Sequence, residues 1–105
     1  MKIEPVIDHI RDFVLKFVPA RCIYLFGFHA YGAPTKESDI DIYVVTPDDT
    51  KEFSMLYAKI RGDLSKKKIF FIDLSLATES TFNTRRTNRM FESTIYQKGR
   101  ILYER

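Results

Sequence analysis

The chain has 105 residues, and its 17 Lys and Arg against 14 Asp and Glu give a formal net charge of +3. This length allows one folded domain and excludes two, and a 45% hydrophobic content excludes a wholly disordered chain. The apolar runs are too short for a membrane span, and Glu4 and Asp8 interrupt the segment where a signal peptide would need an apolar core. Cys22, the single cysteine, excludes an intramolecular disulfide. We therefore expect a cytoplasmic protein with one domain over residues 1–105.

The first half of the chain predicts a helix and two strands. Apolar residues recur every three or four positions over residues 3–18, which indicates an amphipathic helix that Pro19 ends. The continuous apolar run over residues 21–26 is typical of a buried strand. Residues 27–37 contain two glycines and a proline, and they predict a connection without regular structure. Residues 39–45 predict the second strand.

The second half alternates between helix and strand. Its predicted elements are a helix over about residues 50–64, a third strand over 69–76, a helix over 79–98 and an extended segment over 101–103. Asp48 or Asp49 can cap the first of these helices. The apolar face of the second helix consists of Phe82, Met90, Phe91 and Ile95. The order of elements predicts an α/β domain with a small mixed β-sheet flanked by helices.

Two aspartates at the start of the second strand are the first candidate site. Asp39 and Asp41 are separated by one residue, so on a strand they point to the same face, about 7 Å apart. Two neighbouring carboxylates repel each other unless a cation lies between them. Mg²⁺ takes oxygen ligands and commonly binds substrate phosphates as well. The pattern therefore indicates a metal site next to a glycine turn, although the same short pattern also occurs without catalytic function.

A third aspartate extends this site. Asp73 is the one charge in the apolar segment IFFIDLSLA, and a buried charge is costly without a partner. If its strand lies beside the second strand, Asp73 joins Asp39 and Asp41. Three carboxylates can hold two magnesium ions, one on a triphosphate and one that lowers the pKa of an attacking hydroxyl.

The segment YLFGFHAYGAPTKESDIDIYVV, residues 24–45, resembles the signature of the DNA polymerase β-type nucleotidyltransferase superfamily, and most closely its minimal (MNT-type) members. The family pattern is a strand that ends in Gly-Ser, a loop, Asp-x-Asp, and a distal Asp on a later strand. The matching parts are LFG at 25–27, Gly32, SDIDIYVV at 38–45, Asp73 and IYQKGRILYE at 95–104. The resemblance implies the nucleotidyltransferase fold.

The resemblance also implies a reaction and a role for each acid. The reaction is the Mg²⁺-dependent transfer of a nucleoside monophosphate, with AMP from ATP as the expected case, onto an acceptor hydroxyl. Asp39 and Asp41 would ligate both metal ions. Asp73 would ligate the catalytic ion and help to activate the acceptor hydroxyl as a base.

The implied nucleotide-binding residues are Gly27, Phe28 and Ser38. Two of the loop positions depart from the family pattern, because Phe28 replaces the serine that would contact phosphate and Tyr31 replaces a basic residue. These departures leave open an alternative function, a catalytically degenerate subunit that keeps the fold and serves as a binding or regulatory protein.

The expected partners follow from the same resemblance. ATP would be the nucleotide, and a homodimer or a small helical HEPN-type protein would supply surface that one small domain lacks. In a toxin–antitoxin pair of the HEPN/MNT kind, the chain would be the antitoxin and the acceptor a tyrosine of the toxin. The end of an RNA or a small molecule is a further but less favoured acceptor. Arg85, Arg86 and Arg89 recur at helical spacing, which fits an anionic ligand but more simply a solvated helix face.

Overall fold

Helices and strands alternate along the chain, except for two consecutive helices before the last strand, in this computed structural model, which describes residues 3–32 and 39–105. Their bounds are α1 Ile3–Phe17, β1 Cys22–Phe26, α2 Phe28–Tyr31, β2 Ile40–Thr46, α3 Phe53–Lys66, β3 Ile72–Thr78, α4 Glu79–Thr87, α5 Phe91–Lys98 and β4 Arg100–Glu104. The α/β class predicted from the sequence is confirmed. Among the described helices, none is long and apolar enough to cross a membrane.

The four described strands form one mixed sheet in the order β3-β2-β1-β4. β1 runs antiparallel to both of its neighbours, β2 and β4, whereas β2 and β3 are parallel. Parallel strands need a long crossover connection, which α3 provides. The register pairs Phe26 of β1 with Asp41 of β2, and Asp41 in turn with Asp73 of β3. The predicted small mixed sheet is therefore confirmed.

Both faces of the sheet are covered, and the two cores differ in composition. Helices α1 and α3 cover one face, where the aliphatic core contains Ile7, Ile10, Val14, Ile23, Leu25, Ile42, Val44, Ile60 and Leu64. Helices α4 and α5 cover the other face, where the core contains Cys22, Tyr24, Tyr43, Val45, Ala77, Phe82 and Ile95. Because side chains alternate along a strand, Asp41 and Asp73 lie on this second face.

The prediction of a single helix over residues 79–98 is wrong, because the structure has two helices, α4 and α5, in that range. They are separated at residues 88–90, where Arg89 has a φ of 56°, a left-handed conformation that an α-helix of L-residues does not continue through. Met90 and Phe91 are consequently 45% and 51% exposed instead of buried. Glu92 and Ile95 are the buried residues of α5.

Two expectations for the connections are also wrong. Residues 27–37 are predicted to be a connection without regular structure, but a single helical turn, α2, forms at Phe28–Tyr31; residues 33–37 lie outside the described residues. Neither Asp48 nor Asp49 caps α3, which begins after Glu52, a residue with φ 61° and no side-chain cap. Asp48 Oδ1 instead accepts a hydrogen bond of 2.8 Å from the backbone amide of Ser80, so it ties the loop after β2 to α4.

The third strand begins later than expected, at Ile72, and Phe70 and Phe71 are both exposed before it. The apolar run alone did not distinguish buried strand residues from the exposed aromatic residues that precede them. The amide of Ile40 donates to the carbonyl of Phe71 over 2.7 Å, so this segment still holds the start of β2 beside β3.

Candidate active site

The three predicted acids lie at one end of the parallel pair of strands. Asp41 of β2 and Asp73 of β3 are partners in the strand register, so their side chains leave the same face of the sheet from strands about 4.8 Å apart. Asp39 immediately precedes β2 and is exposed. The structure therefore places Asp73 beside Asp41. The sequence predicts this arrangement only if the third strand lies next to the second, and it does.

The charge state of Asp41 reflects this crowding. The pKa of its carboxyl is raised above the ordinary value, first by partial burial and then by the negative charges of Asp73 and Asp39. His29 of α2 has the opposite effect and lowers the pKa of Asp41. The folded chain thus holds Asp41 where its negative charge is disfavoured, and a nearby cation would relieve that cost.

The carboxylates do not form a closed metal cluster. Within residues 3–32 and 39–105, no three His, Cys, Asp or Glu side chains lie close enough together to hold one metal ion. Mutual repulsion between three carboxylates opposes such convergence. The donor set is nevertheless all oxygen, which suits Mg²⁺ or another hard divalent cation rather than a thiolate- or imidazole-binding metal. The ligand roles of Asp39, Asp41 and Asp73 stay a prediction.

The backbone of Gly27 packs directly against the carboxylate of Asp41. Its φ is +73°, a conformation that favours glycine, and a Cβ at this position would lie 2.0 Å from Oδ2 of Asp41. No other residue type therefore fits beside Asp41 without moving the carboxylate. The carbonyl of Gly27 also accepts hydrogen bonds from the amides of Ala30 and Tyr31, which begins α2 directly after β1.

The other two predicted nucleotide-binding residues are less informative. Phe28, which stands where the family pattern has serine, begins α2 and is 60% exposed. Ser38 lies outside the described residues. The nucleotide-binding roles of Gly27, Phe28 and Ser38 stay predictions.

A buried carboxylate on α5 lies on the same face and was missed in the sequence. Glu92 is 0% exposed, and its Oε2 accepts hydrogen bonds from the hydroxyl of Tyr43 at 2.9 Å and from Nη1 of Arg85 at 3.3 Å. Burial, followed by the interaction with Glu92, raises the pKa of Tyr43. The available signal was helical spacing, because Glu92 precedes the core residue Ile95 by three positions and so shares its helix face.

The three arginines at helical spacing do not form one face. Arg85 pairs with the buried Glu92, and Arg86 lies over the ring of Tyr96, 4.1 Å from its centroid. Arg89 lies in the break between α4 and α5. The solvent exposure expected for all three is found at Arg85 and Arg89, whereas Arg86 is half-buried, and no single helix carries all three.

A cavity of about 360 Å³ opens between the sheet and the helices α4 and α5. Tyr43 and Ser75 form part of its wall, and these register partners lie two positions further along β2 and β3 than Asp41 and Asp73, on the same face. The remaining polar and aromatic wall residues include Thr81, Arg85, Phe91 and Glu92. A second cavity, of about 240 Å³, lies at the opposite end of this face beside Cys22, whose thiol has a pKa raised by burial.

Comparison with known proteins decides the family of this chain. The model of the nucleotidyltransferase domain family matches residues 7–99, which include every acid of the candidate site. The chain belongs to this family. The resemblance to the minimal nucleotidyltransferases is thereby confirmed. No curated protein matches the chain in sequence.

Solved structures share the fold of this nucleotidyltransferase domain at low sequence identity. A candidate nucleotidyltransferase from Sulfolobus solfataricus is 19% identical with a TM-score of 0.62, over 96% of this chain and 79% of that one. A chain of a toxin–antitoxin complex with AMP-PNP is 20% identical, also with a TM-score of 0.62, over 93% and 73%. A chain of the toxin–antitoxin complex MntA–HepT is 20% identical with a TM-score of 0.59, over 97% and 74%. The predicted nucleotidyltransferase fold is confirmed.

Proposed function

We propose that this nucleotidyltransferase domain transfers a nucleoside monophosphate, specifically AMP from ATP, onto an acceptor hydroxyl in a Mg²⁺-dependent reaction. The observation that carries the proposal is the register of Asp41 and Asp73, which gives two adjacent carboxylates on one face of the sheet. Gly27 brings its backbone against the carboxylate of Asp41, and the chain belongs to a family named for this transfer.

Each acid has a separate task in this proposal. Asp39 and Asp41 would hold both metal ions, and Asp73 would hold the catalytic ion and help to activate the acceptor hydroxyl as a base. When bound, Mg²⁺ supplies the positive charge that offsets the charge on the entering and leaving oxygens of the in-line displacement. The raised pKa of Asp41 fits this arrangement, because the carboxylate is held where a cation has most to neutralise.

The triphosphate would lie along the backbone that follows β1. Gly27 has no side chain and a positive φ, which lets phosphate oxygens approach the main chain closely. Phe28 would contribute only its backbone there, because its side chain carries no hydroxyl. Ser38, at the entrance to the Asp-x-Asp segment in the sequence, is the remaining hydroxyl that we assign to nucleotide binding.

The proposed acceptor is a tyrosine hydroxyl on a small helical HEPN-type partner. The fold is shared with chains of the toxin–antitoxin complex MntA–HepT, and another matched toxin–antitoxin structure is described as containing AMP-PNP. By analogy, the domain would act as the antitoxin and silence its partner by adenylylation. Assembly as a homodimer is the alternative source of the surface that grips the acceptor.

A second candidate function is a catalytically degenerate subunit that binds a partner without chemistry. The exposed Phe28 favours it, because this residue removes the phosphate-binding hydroxyl of the family pattern. The intact acids Asp39, Asp41 and Asp73 favour the enzyme.

Label transfer distinguishes the two functions. The protein is incubated with Mg²⁺, α-labelled ATP and its co-purifying partner, beside the double variant Asp39→Asn with Asp41→Asn. Asp49→Asn is the matched control, since Asp49 is an exposed turn residue outside the site. We expect label on the partner with wild type and the control only. Absence of both label transfer and calorimetric ATP binding in wild type would refute the enzyme, and transfer by the double variant would refute the site.

A further inference from the structure

We propose that the cavity between β2, β3, α4 and α5 binds the nucleoside part of the donor nucleotide, with Glu92 as its hydrogen-bond acceptor. This inference rests on the proposed function and extends it, because it assigns a binding residue that the acidic motif does not contain. The cavity measures about 360 Å³, which lies within the usual range of about 300–1,000 Å³ for small-molecule sites.

The distance from the carboxylates to the cavity matches the size of a nucleotide. Tyr43 and Ser75 in the cavity wall lie two strand positions, about 7 Å, from Asp41 and Asp73. A nucleotide whose phosphate is held at the two acids can therefore place its sugar and base in the cavity, on the same face of the sheet. The nucleotide would not have to bend around the edge of the sheet, because the acids and the cavity lie on the same face.

The hydrogen bonding of Glu92 indicates what the cavity recognises. Tyr43 and Arg85 both donate to Oε2 of Glu92, whereas the buried Oε1 has no hydrogen-bond partner among the described residues. A buried acceptor without a partner is costly, and an N–H or O–H of a ligand would satisfy it. Nucleosides supply both kinds of donor, in the exocyclic amine of the base and in the ribose hydroxyls.

The remaining wall of the cavity suits a base and a sugar. Phe91 is 51% exposed and is in ring contact with Phe26 and Tyr43, at centroid distances of 6.2 and 6.0 Å, so the exposed part of its ring can stack on a base. Ser75 and Thr81 add hydroxyl groups that donate or accept, and Arg85 adds guanidinium donors for base or ribose oxygens.

Calorimetry in Mg²⁺ tests the inference with two probes, ATP and inorganic tripolyphosphate. We expect wild type to bind ATP at least about tenfold more tightly than tripolyphosphate, since a hydrogen bond to a buried charge corresponds to about tenfold or more in affinity. The variant Glu92→Gln should lose this preference and keep its affinity for tripolyphosphate. Glu79→Gln, which removes a carboxylate of α4 outside this cavity, should leave both affinities unchanged.

Two ATP analogues identify the group that Glu92 binds. If Glu92 binds the ribose, 2′-deoxy-ATP should bind no more tightly than tripolyphosphate. If Glu92 binds the base, an ATP analogue without the 6-amino group should bind no more tightly than tripolyphosphate. Should Glu92→Gln fail to fold, Ser75→Leu fills the cavity from β3 and carries the same expectation. Equal wild-type affinities for ATP and tripolyphosphate, or an undiminished preference in folded variants, would overturn the inference and leave the transferase proposal standing. No wild-type binding of either probe would overturn both.

Discussion

The substitution Asp41→Asn is expected to stabilise the protein in the absence of metal and to remove its proposed activity. Asp41 is partly buried and faces the negative charges of Asp73 and Asp39, and these three effects raise its pKa. Asparagine keeps the shape of the side chain beside Gly27 but removes the charge. A gain in stability at the cost of function is the usual result when a strained functional group is replaced.

The magnitude follows from the strand geometry. Two unit charges about 6 Å apart repel by about 0.7 kcal/mol in water and by about 2.8 kcal/mol at an effective dielectric constant near 20. Asp73 is exposed and Asp41 is only partly buried, so the lower part of that range applies. We expect the free energy of unfolding to rise by about 1 kcal/mol, which corresponds to about 4–6 °C in Tm for a domain of this size.

The assay is thermal or urea unfolding in EDTA between pH 3 and pH 7. A carboxyl with a raised pKa keeps its proton in the folded state after the unfolded chain has lost its own, so wild-type stability falls as the pH rises through that raised pKa. The advantage of Asp41→Asn should therefore be absent at pH 3 and grow towards pH 7. In the presence of Mg²⁺ and ATP, wild type should become more stable than Asp41→Asn, because a ligand stabilises the protein that binds it.

Asp49→Asn is the control for this experiment, and its stability should lie within about 0.5 kcal/mol of wild type, as is usual for a surface change. An Asp41→Asn protein no more stable than wild type at pH 7 would refute the electrostatic explanation. A gain of the same size at pH 3 would refute it equally, because at that pH the aspartate is largely protonated and the charge is already absent.

Two further predictions concern backbone and buried hydrogen bonds. Gly27→Ala should lower the free energy of unfolding, measured by urea titration, by about 1–3 kcal/mol and should weaken metal binding, because its Cβ would lie 2.0 Å from Oδ2 of Asp41. Gly62→Ala, a position in α3 with open space around it, should raise the free energy of unfolding by about 0.5–1 kcal/mol in the same titration. Equal effects of the two substitutions would contradict this explanation. Tyr43→Phe should lower the free energy of unfolding, measured by chemical denaturation, by about 1–3 kcal/mol, because Glu92 loses a buried hydrogen-bond donor. An unchanged free energy of unfolding would show that water replaces the hydroxyl.

The sequence alone determined the elements whose signals are local. The amphipathic period of α1 and the apolar runs of β1 and β2 predicted their bounds to within one residue, because burial on one or both faces is recorded in neighbouring positions. The Asp39–Asp41 pattern and Gly27 were also recognisable locally. The sequence patterns did not predict the break between α4 and α5, because the local composition there is compatible with several backbone conformations.

Only the tertiary structure decided which of these residues meet. Asp73 reaches Asp41 through a parallel pairing of β2 and β3, and no pattern within either strand specifies that register. Glu92 shares a helix face with Ile95 in the sequence, but only the packing of α5 on the sheet brings its carboxylate against the hydroxyl of Tyr43. Both outcomes depend on contacts between distant segments. A local period therefore predicts the elements, whereas the site is defined by their packing.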